Sequence, residues 1–390
     1  MSWKIVALGD VCKVIAGQSP ESINYNKEGR GLAFYQGKKD FGDVYVNPPT
    51  VWTTEITKEA IKNDILMSVR APVGPVNIAT EHICIGRGLA AIRATERINQ
   101  AYLFYYLLKI EKELVGNAGA VFNSINKTQI ENLLVPLPSI PTQQKIVAKL
   151  DAIFAEIDTA TAAAEANAKN AEALFQSYVT EVFETEKYNF KLVKFGTTAS
   201  FVRGPFGGSL KKSIFVEKGY AVYEQQHAIY NQFSDIRYFI DESKFEEMKR
   251  FELKSGDLIM SCSGTMGKIA IVPENIEQGV INQALLKISP NKNVMGEYIA
   301  RLLSSKYFQD TLTKLSGGAA IQNVPAVSVL KDIEVPIPSI KNQKLIVDII
   351  DVLESNKIII KNSYKCKSKE FTSLKQSILQ RAFNGELVKD

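Results

Sequence analysis

Two stretches of the sequence are close to catalytic motifs, and each departs from the pattern that its chemistry needs. Residues 47–49 (Asn-Pro-Pro) begin the tetrad that orients the target amine in adenine methyltransferases, but Thr50 stands where that tetrad has an aromatic residue. Residues 204–213 (GPFGGSLKKS) do not form the G-x-x-x-x-G-K-[ST] phosphate-binding loop, because Ser209 stands where its second glycine should be. The sequence also has no glycine-rich strand-to-helix turn for a methionine-derived cofactor. We therefore expect no methyl-transfer, nuclease or ATP chemistry in this chain, and no bound cofactor.

The residue types that commonly bind metals are sparse. His82 and His227 are the only histidines, and they lie far apart in the sequence. The four cysteines contain no C-x-x-C pair: Cys12, Cys84, Cys262 and Cys366. A zinc site is therefore not expected. Asp64 and Asp257 are expected to cap turns next to strands rather than to catalyse.

Two loops that follow β-prone runs have side chains suited to contacts with bases. The residues are Ser68, Val69 and Arg70 in the first loop and Ser263, Thr265 and Lys268 in the second. Arginine and lysine can pair with guanine, and serine and threonine with several bases. The alternative is that Gly74, Gly264 and Gly267 merely form tight turns whose polar neighbours are solvated.

Two further groups of candidates lie in segments that differ between the two halves of the chain, residues 18–60 and 205–250. They are Gln36, Lys38 and Lys39 in the first segment and Lys211, Lys212 and Gln225 in the second. Amide side chains suit adenine, and ammonium groups suit phosphate. Lysine pairs are more often plain solvated surface, so both interpretations stay open.

A long helix is predicted at residues 141–186, and a second one at the C-terminus. Apolar or small residues in the first helix recur in steps of four and three: Ile146, Leu150, Ile153, Ile157, Ala160, Ala164, Ala171, Leu174 and Tyr178. The second helix repeats these steps 200 residues later: Ile346, Ile350, Leu353, Ile360, Tyr364, Phe371, Leu374 and Ile378. Such a seam predicts a partner helix. An antiparallel pair would place the alanine-rich middle near Ala164 against residues 358–360 and Tyr364. Asn167 lies on this seam, where it either fixes the register of the helices or turns toward solvent.

The globular parts of the chain are repeated as well. Asp64 aligns with Asp257 and Met67 with Met260, both at an offset of 193 residues, within NDILMSVRAPVGPVNIA and GDLIMSCSGTMGKIAIV. The stretches VPLPSIPTQQKIVAKLD and VPIPSIKNQKLIVDIID align at an offset of 200. Arg87 falls opposite Asn282, where either residue could read a base or satisfy a turn backbone. The chain is thus predicted to be a tandem repeat of a globular unit followed by a long helix.

Length and composition agree with this organisation. A chain of 390 residues is expected to form two or three domains, and 45% hydrophobic and 23% charged residues are typical of globular proteins. The net charge of +5 and the pI near 8.7 permit a polyanionic partner without requiring one. No run is long and apolar enough to span a membrane, so we expect a cytoplasmic protein with reduced thiols and no membrane partner.

The repeated motifs, together with LFQSYVTEVFE, LKQSILQRAFNGELV and PFGGSLKKS, resemble the specificity (S) subunits of type I restriction-modification enzymes over essentially the full length. The resemblance implies two target-recognition domains, each reading one half of a bipartite DNA sequence, and two central helices that pack antiparallel. It also implies that the helices dock two methyltransferase subunits, which modify adenine, and that motor-nuclease subunits join the full complex.

We therefore predict an α+β protein in which two β-rich target-recognition domains form a tandem pseudo-twofold repeat, separated by two long antiparallel coiled-coil helices. The predicted boundaries are residues 1–140 and 188–340 for the domains, and 141–187 and 341–390 for the helices. The predicted function is non-catalytic, sequence-specific recognition of double-stranded DNA. The alternatives are a free-standing DNA adenine methyltransferase or nuclease, which the missing motifs disfavour, and a coiled-coil spacer without a DNA role.

Overall fold

The chain forms two compact units, residues 1–165 with 365–390 and residues 166–364. The computed structural model describes residues 3–116, 124–206, 208–315 and 323–388, so Gly207 of the PFGGSLKKS motif lies outside the described residues. Each unit combines one β-rich domain with segments of both long helices. The predicted α+β tandem repeat is therefore confirmed.

The first domain consists mainly of strands. The strands are β1 (Lys4–Ala7), β2 (Cys12–Ala16), β3 (Tyr25–Asn26), β4 (Leu32–Tyr35), β5 (Trp52–Thr53), β6 (Glu59–Ala60), β7 (Ile65–Ser68), β8 (Val76–Ile78), β9 (Ile83–Ile85), β10 (Leu89–Ala94) and β11 (Leu134–Leu137). The helices are α1 (Gln100–Gly116) and α2 (Lys127–Glu131), and the long helix α3 (Ile140–Glu184) follows. The strands form a four-stranded antiparallel sheet, β2-β10-β7-β8, a five-stranded mixed sheet, β3-β5-β4-β9-β6, and the pair β1-β11.

The second domain repeats this plan. Its strands are β12 (Lys191–Lys194), β13 (Ala199–Arg203), β14 (Tyr220–Tyr223), β15 (Phe239–Ile240), β16 (Leu258–Ser261), β17 (Ile269–Ile271), β18 (Gly279–Ile281), β19 (Leu285–Pro290) and β20 (Glu334–Ile337). Its helices are α4 (Gln225–Tyr230), α5 (Glu242–Glu247), α6 (Gly296–Ser304), α7 (Lys306–Leu315) and α8 (Val327–Asp332), followed by the long helix α9 (Ile340–Phe383). The sheets are β13-β19-β16-β17, β15-β14-β18 and the pair β12-β20.

Strand register shows the repeat residue by residue. The antiparallel pair β7–β10 places Ser68 opposite Leu89, and the pair β16–β19 places Ser261 opposite Leu285. The carboxylate of Asp64 accepts a hydrogen bond of 2.9 Å from the Ile61 amide before β7, and Asp257 accepts one of 2.9 Å from the equivalent amide before β16. The prediction that these two aspartates cap turns is confirmed.

A buried glutamine fixes the start of each long helix. The side-chain oxygen of Gln143 accepts a 2.7 Å bond from the Asn99 amide, and its nitrogen donates a 2.9 Å bond to the carbonyl of Pro138. Gln343 makes the corresponding bonds, at 2.8 and 3.0 Å, at the start of α9. Neither glutamine is exposed, so these bonds satisfy side chains that would otherwise destabilise the core. The hydrogen bonds of Gln143 and Gln343 explain why the VPLPSIPTQQ motif recurs as VPIPSIKNQ.

Each unit has a core to which both long helices contribute. In the first unit, Ile146 and Leu150 near the start of α3 share a core with Leu379 and Phe383 near the end of α9. In the second unit the end of α3 shares a core with the start of α9: Val179, Phe183, Ile346 and Ile350. The two helices therefore run antiparallel within each unit, as predicted.

The predicted seam is wrong in the later part of α3. Leu174 and Tyr178 are exposed, at 57% and 46%, and the buried face passes instead to Phe175, Val179 and Phe183. A seam with a strict seven-residue repeat drifts by about 20° per heptad on a straight α-helix. Over the 32 residues from Ile146 to Tyr178, this drift amounts to about 90°. Because neighbouring residues on a helix are about 100° apart, the buried face moves by about one residue, from Leu174 and Tyr178 to Phe175 and Val179.

The predicted contact of small with large residues at mid-helix is also wrong for the isoleucines. Ile358, Ile359 and Ile360 are exposed, and so is Leu374. Asn167 is exposed as well, so it turns toward solvent and does not fix a register. None of the helices in the described part of the chain has the length and apolar character that crossing a bilayer requires.

Candidate nucleic-acid interface

In the first domain, one open cleft of about 560 Å³ is lined by all five residues predicted there to contact DNA. The five are Gln36, Lys38, Lys39, Arg70 and Arg87, and all are exposed. They come from three separate loops, after β4, β7 and β9. We call this site the first-domain cleft. The fold, and not closeness in the sequence, brings these side chains together.

Backbone hydrogen bonds join the three loops. The Gly86 amide donates to the carbonyl of Tyr35 (2.8 Å), which places the loop after β9 beside Gln36. The Val69 amide donates to the carbonyl of Gly88 (3.0 Å), which adds the loop after β7. The side chains of the cleft therefore project from the anchored ends of strands, and the sheets fix their spacing.

Gly88 permits the close approach of two of these loops. A Cβ atom at this position would collide with the backbone oxygen of Gln36. Only glycine avoids that collision, because it has no side chain. Gly88 is a functional candidate that the sequence analysis missed. The signal available in the sequence is the pair of glycines, Gly86 and Gly88, that flank Arg87.

The first-domain cleft is electrostatically positive. Within the described residues, its four cationic side chains form no ion pair with a carboxylate. The nearby carboxylate of Asp40 accepts hydrogen bonds from the amides of Gln36 (3.0 Å) and Gly37 (3.4 Å), so it shapes the loop. Cations without protein partners attract a polyanion such as a nucleic acid backbone.

Asn47, the first residue of the incomplete methyltransferase tetrad, is used in the structure of the loop. Its side-chain amide donates to the carbonyl of Phe41 (2.9 Å), and its own carbonyl accepts from the hydroxyl of Tyr35 (2.8 Å). Burial raises the pKa of Tyr35 to about 12, with a smaller contribution from Glu81 and Asp40, so the hydroxyl keeps the proton that it donates.

In the second domain, the structure brings Gln225 and Ser263 together. The amide and the hydroxyl of Ser263 both donate to the Gln225 side-chain oxygen, each at 3.4 Å. Thr265 and Lys268 lie in the same loop with exposed side chains. The hydroxyl of Ser261 shapes this loop, because it donates to the carbonyl of Thr265 (2.6 Å) and accepts from the Lys268 amide (2.9 Å).

Lys211 and Lys212 belong to a different part of the second domain. Both are exposed, and the flanking residues Leu210 and Ile214 pack on a small core that contains Phe245. The loop of Ser263 follows β16, whose Ile259 belongs to another core. The neighbours of the two lysines and the strand before the Ser263 loop therefore pack on different cores.

The predicted match between Arg87 and Asn282 is wrong. The Gly86 amide bonds to the Tyr35 carbonyl, whereas the Asn282 amide bonds to the carbonyl of Tyr223 (2.9 Å), so Asn282 is equivalent to Gly86. The next residue, Gln283, is therefore equivalent to Arg87. The Asn282 side chain accepts from the Ala284 amide (3.0 Å), so it satisfies the turn backbone. The available signal was the 196-residue offset between Leu89 and Leu285.

Both histidines form local hydrogen bonds. His82 is exposed and lies 2.6 Å from a carboxylate oxygen of Glu59. His227 is buried, and its Nε2 lies 3.1 Å from the carbonyl of Asp235. Among the residues that the structure describes, no group of three or more histidine, cysteine, aspartate or glutamate side chains could bind a metal ion.

Comparison with known proteins identifies the family. The family described as "Type I restriction modification DNA specificity domain" matches residues 1–167 and 206–366. The chain therefore belongs to the type I restriction-modification specificity family, a non-catalytic targeting class. The resemblance that the repeated motifs indicated is confirmed.

Individual relatives agree with this assignment. The chain is 47% identical over 156 residues to the type I restriction enzyme MjaX specificity subunit of Methanocaldococcus jannaschii, which covers 39% of this chain and 36% of that protein. It is 22% identical to the EcoBI specificity subunit of Escherichia coli, over 99% of this chain and 86% of the relative. The EcoKI specificity subunit of Escherichia coli strain K12 is also 22% identical, over 99% of this chain and 89% of that protein.

Two solved structures share the fold. One, described as showing complex assembly and conformational transition of the type I R-M system, has a TM-score of 0.73 at 19% identity, over 99% of this chain and 98% of the other. The other, the HsdS subunit from Thermoanaerobacter tengcongensis, has a TM-score of 0.61 at 18% identity, over 99% and 97%.

Proposed function

We propose that this chain reads a bipartite target in double-stranded DNA, with one half-site contacted by each β-rich domain. The observation that carries the proposal is the first-domain cleft, in which four cations and one amide from three loops share one exposed surface. Lysine and arginine supply contacts to phosphate, and arginine and glutamine supply hydrogen bonds to base edges in the major groove.

In this proposal the second domain uses a different set of contacts. Gln225, Ser263, Thr265 and Lys268 contact bases or the sugar-phosphate backbone near the end of β16. Lys211 and Lys212 contact phosphate from their separate turn. The exposure of Thr265, Lys268 and both lysines of the turn supports this assignment.

The chain acts as the targeting part of a larger complex in the cytoplasm. Two methyltransferase subunits dock on α3 and α9 and modify adenine, and motor-nuclease subunits join the full assembly. The exposed apolar side chains of α9 support this role, because Val352, Ile358 and Ile359 are 60%, 51% and 65% exposed. Large apolar side chains exposed on one helix are a feature of surfaces that partner proteins cover.

The test compares the chain alone with the assembled methyltransferase. The purified chain, incubated with a labelled methyl donor and DNA, should give no incorporation, whereas the complex should methylate adenines within one bipartite sequence. Incorporation by the isolated chain would favour the free-standing enzyme. Methylation by the complex without a common bipartite sequence would contradict the proposal. A salt-dependent shift of target duplex on binding the chain would separate it from a coiled-coil spacer.

A further inference from the structure

The two domains have equivalent positions at the end of their parallel strand pairs. Strands β4 and β9 pair Tyr35 with Ile85, and strands β14 and β18 pair Tyr223 with Ile281. The loop that carries Arg87 follows the first pair, and the loop that carries Gln283 follows the second.

A glycine packs directly against the backbone of each loop. A Cβ atom at Gly17 would collide with the carbonyl oxygen of Gly86, and one at Gly204 would collide with that of Asn282. The amides of both glycines also donate 2.9 Å bonds to the first residue of the next strand, β10 or β19. The backbone around Gln283 is therefore held by the same glycine contact and the same glycine amide hydrogen bond as the backbone around Arg87.

The neighbouring loop is also joined to this position in the same way in both domains. The Val69 amide donates to Gly88 (3.0 Å), and the Cys262 amide donates to Ala284 (2.9 Å). Arg70 and Ser263, the residues that follow, each form an isolated bridge, to Ser124 and to Asn323 respectively. Arg70 and Arg87 in the first domain thus correspond to Ser263 and Gln283 in the second.

The amide of Gln283 is available to a ligand. Its side chain is exposed, and among the described residues it makes no hydrogen bond. Its neighbours differ in this respect, because the Asn282 oxygen accepts from Ala284 and the Gln225 oxygen accepts from Ser263. The side-chain oxygen of Gln283 can therefore accept, and its NH2 group can donate, a hydrogen bond to a planar ligand.

We infer that Gln283 is a base-reading residue of the second domain, at the position where Arg87 reads a base in the first. A glutamine amide pairs bidentately with N6 and N7 of adenine, whereas a guanidinium pairs with O6 and N7 of guanine. The first half-site therefore has a G·C pair at the position where the second half-site has an A·T pair. This inference rests on the proposed function, because it needs each domain to read one half-site.

The test is methylation mapping with the assembled complex. Gln283→Arg should change the preference at one base pair of the second half-site from A·T to G·C, by roughly 5- to 150-fold in relative methylation, with the first half-site unchanged. Arg87→Gln should produce the reverse change in the first half-site. Gln283→Ala should reduce discrimination at the same position without a new preference.

Gln278 offers a matched control. It lies at the other end of β18, is also exposed, and donates a 2.7 Å bond to Glu252. Gln278→Ala should leave both half-sites unchanged. An unchanged second half-site in Gln283→Arg and Gln283→Ala, with the wild-type bipartite target intact, would overturn the inference alone. If the wild-type complex methylated no bipartite target, the proposed function itself would fail.

Discussion

At equivalent positions the first domain has Arg70 and Arg87, and the second has Ser263 and Gln283, although the strands that carry them pair in the same register. The residues that stabilise the two folds differ much less. Both domains have an aspartate at the turn before a central strand and a buried glutamine at the start of a long helix. The side chains proposed to contact DNA are therefore distinct from those that stabilise the fold, and they can be substituted at little cost in stability.

One difference does lie within the shared scaffold. Asp64 accepts two bonds from the Arg93 guanidinium, at 2.9 and 2.7 Å, in addition to its bond from the turn amide. Asp257 accepts instead from the neutral hydroxyl of Ser289, at 2.5 Å. The same carboxylate position has a charged partner in one domain and a neutral partner in the other.

The largest expected effect comes from this carboxylate. Asp64→Asn leaves the Arg93 guanidinium without its charged partner, so we expect the free energy of unfolding of the first unit to fall by about 2 to 3 kcal/mol. Trp3 and Trp52 are the only tryptophans, and both belong to the first unit. Urea unfolding followed by tryptophan fluorescence therefore reports on that unit. Asp257→Asn should leave this transition in place, and equal shifts in the two variants would refute the contrast.

A second prediction concerns discrimination between bases. Arg70→Ala should weaken discrimination at one or two base pairs of the first half-site by about 1 to 3 kcal/mol, because in the proposed function Arg70 contacts a base edge. Competition binding by the assembled complex, with single-base variants of the target, measures this effect. A uniform loss across all variants would reassign Arg70 to a phosphate contact.

A third prediction uses Gly88 and its counterpart Ala284. Gly88→Ala places a methyl group against the Gln36 carbonyl, so we expect a loss of about 2 kcal/mol in the stability of the first unit, together with weaker binding of the first half-site. Ala284→Gly should have a much smaller effect, because the second domain already accommodates a Cβ there. Tryptophan fluorescence again measures the first variant, and an unchanged unfolding curve would show that the two loops can separate freely.

The smallest expected effect belongs to Lys39. Lys39→Ala should weaken binding to every sequence similarly, by about 0.5 to 1 kcal/mol, and should reduce the slope of log affinity against log salt by about 1. Lys62, an exposed lysine of the same domain that does not line the cleft, provides the matched control. A change in sequence preference in Lys39→Ala would contradict a phosphate contact.

Much of this arrangement could be predicted from the sequence, because the two halves of the chain align at nearly constant offsets. The match of Asp64 with Asp257 and the five residues of the first-domain cleft followed from comparing the two halves. The role of Gln283 could not be found in the same way, since loops of unequal length move the offset from 193 to 196 residues within one domain. The backbone hydrogen bonds of β14 and β18 fix the equivalence, which the 196-residue offset between Leu89 and Leu285 also indicates.

Other features depend on geometry that a sequence pattern does not record. The collision that excludes a side chain at Gly88 involves Gln36, a residue from another strand end. The exposure of Leu174 and Tyr178 follows from the slow drift of the buried face around a long helix, which a heptad pattern with one fixed seam does not include.

The most direct experiment exchanges the variable segment of the first domain and leaves the second domain unchanged. Residues 18–60 would be replaced by the corresponding segment of another family member, and methylated adenines would be mapped for the complex that contains the exchanged chain. We expect one half of the bipartite target to change while the other half stays the same. A change in both halves, or in neither, would contradict the central claim that the two domains read DNA independently.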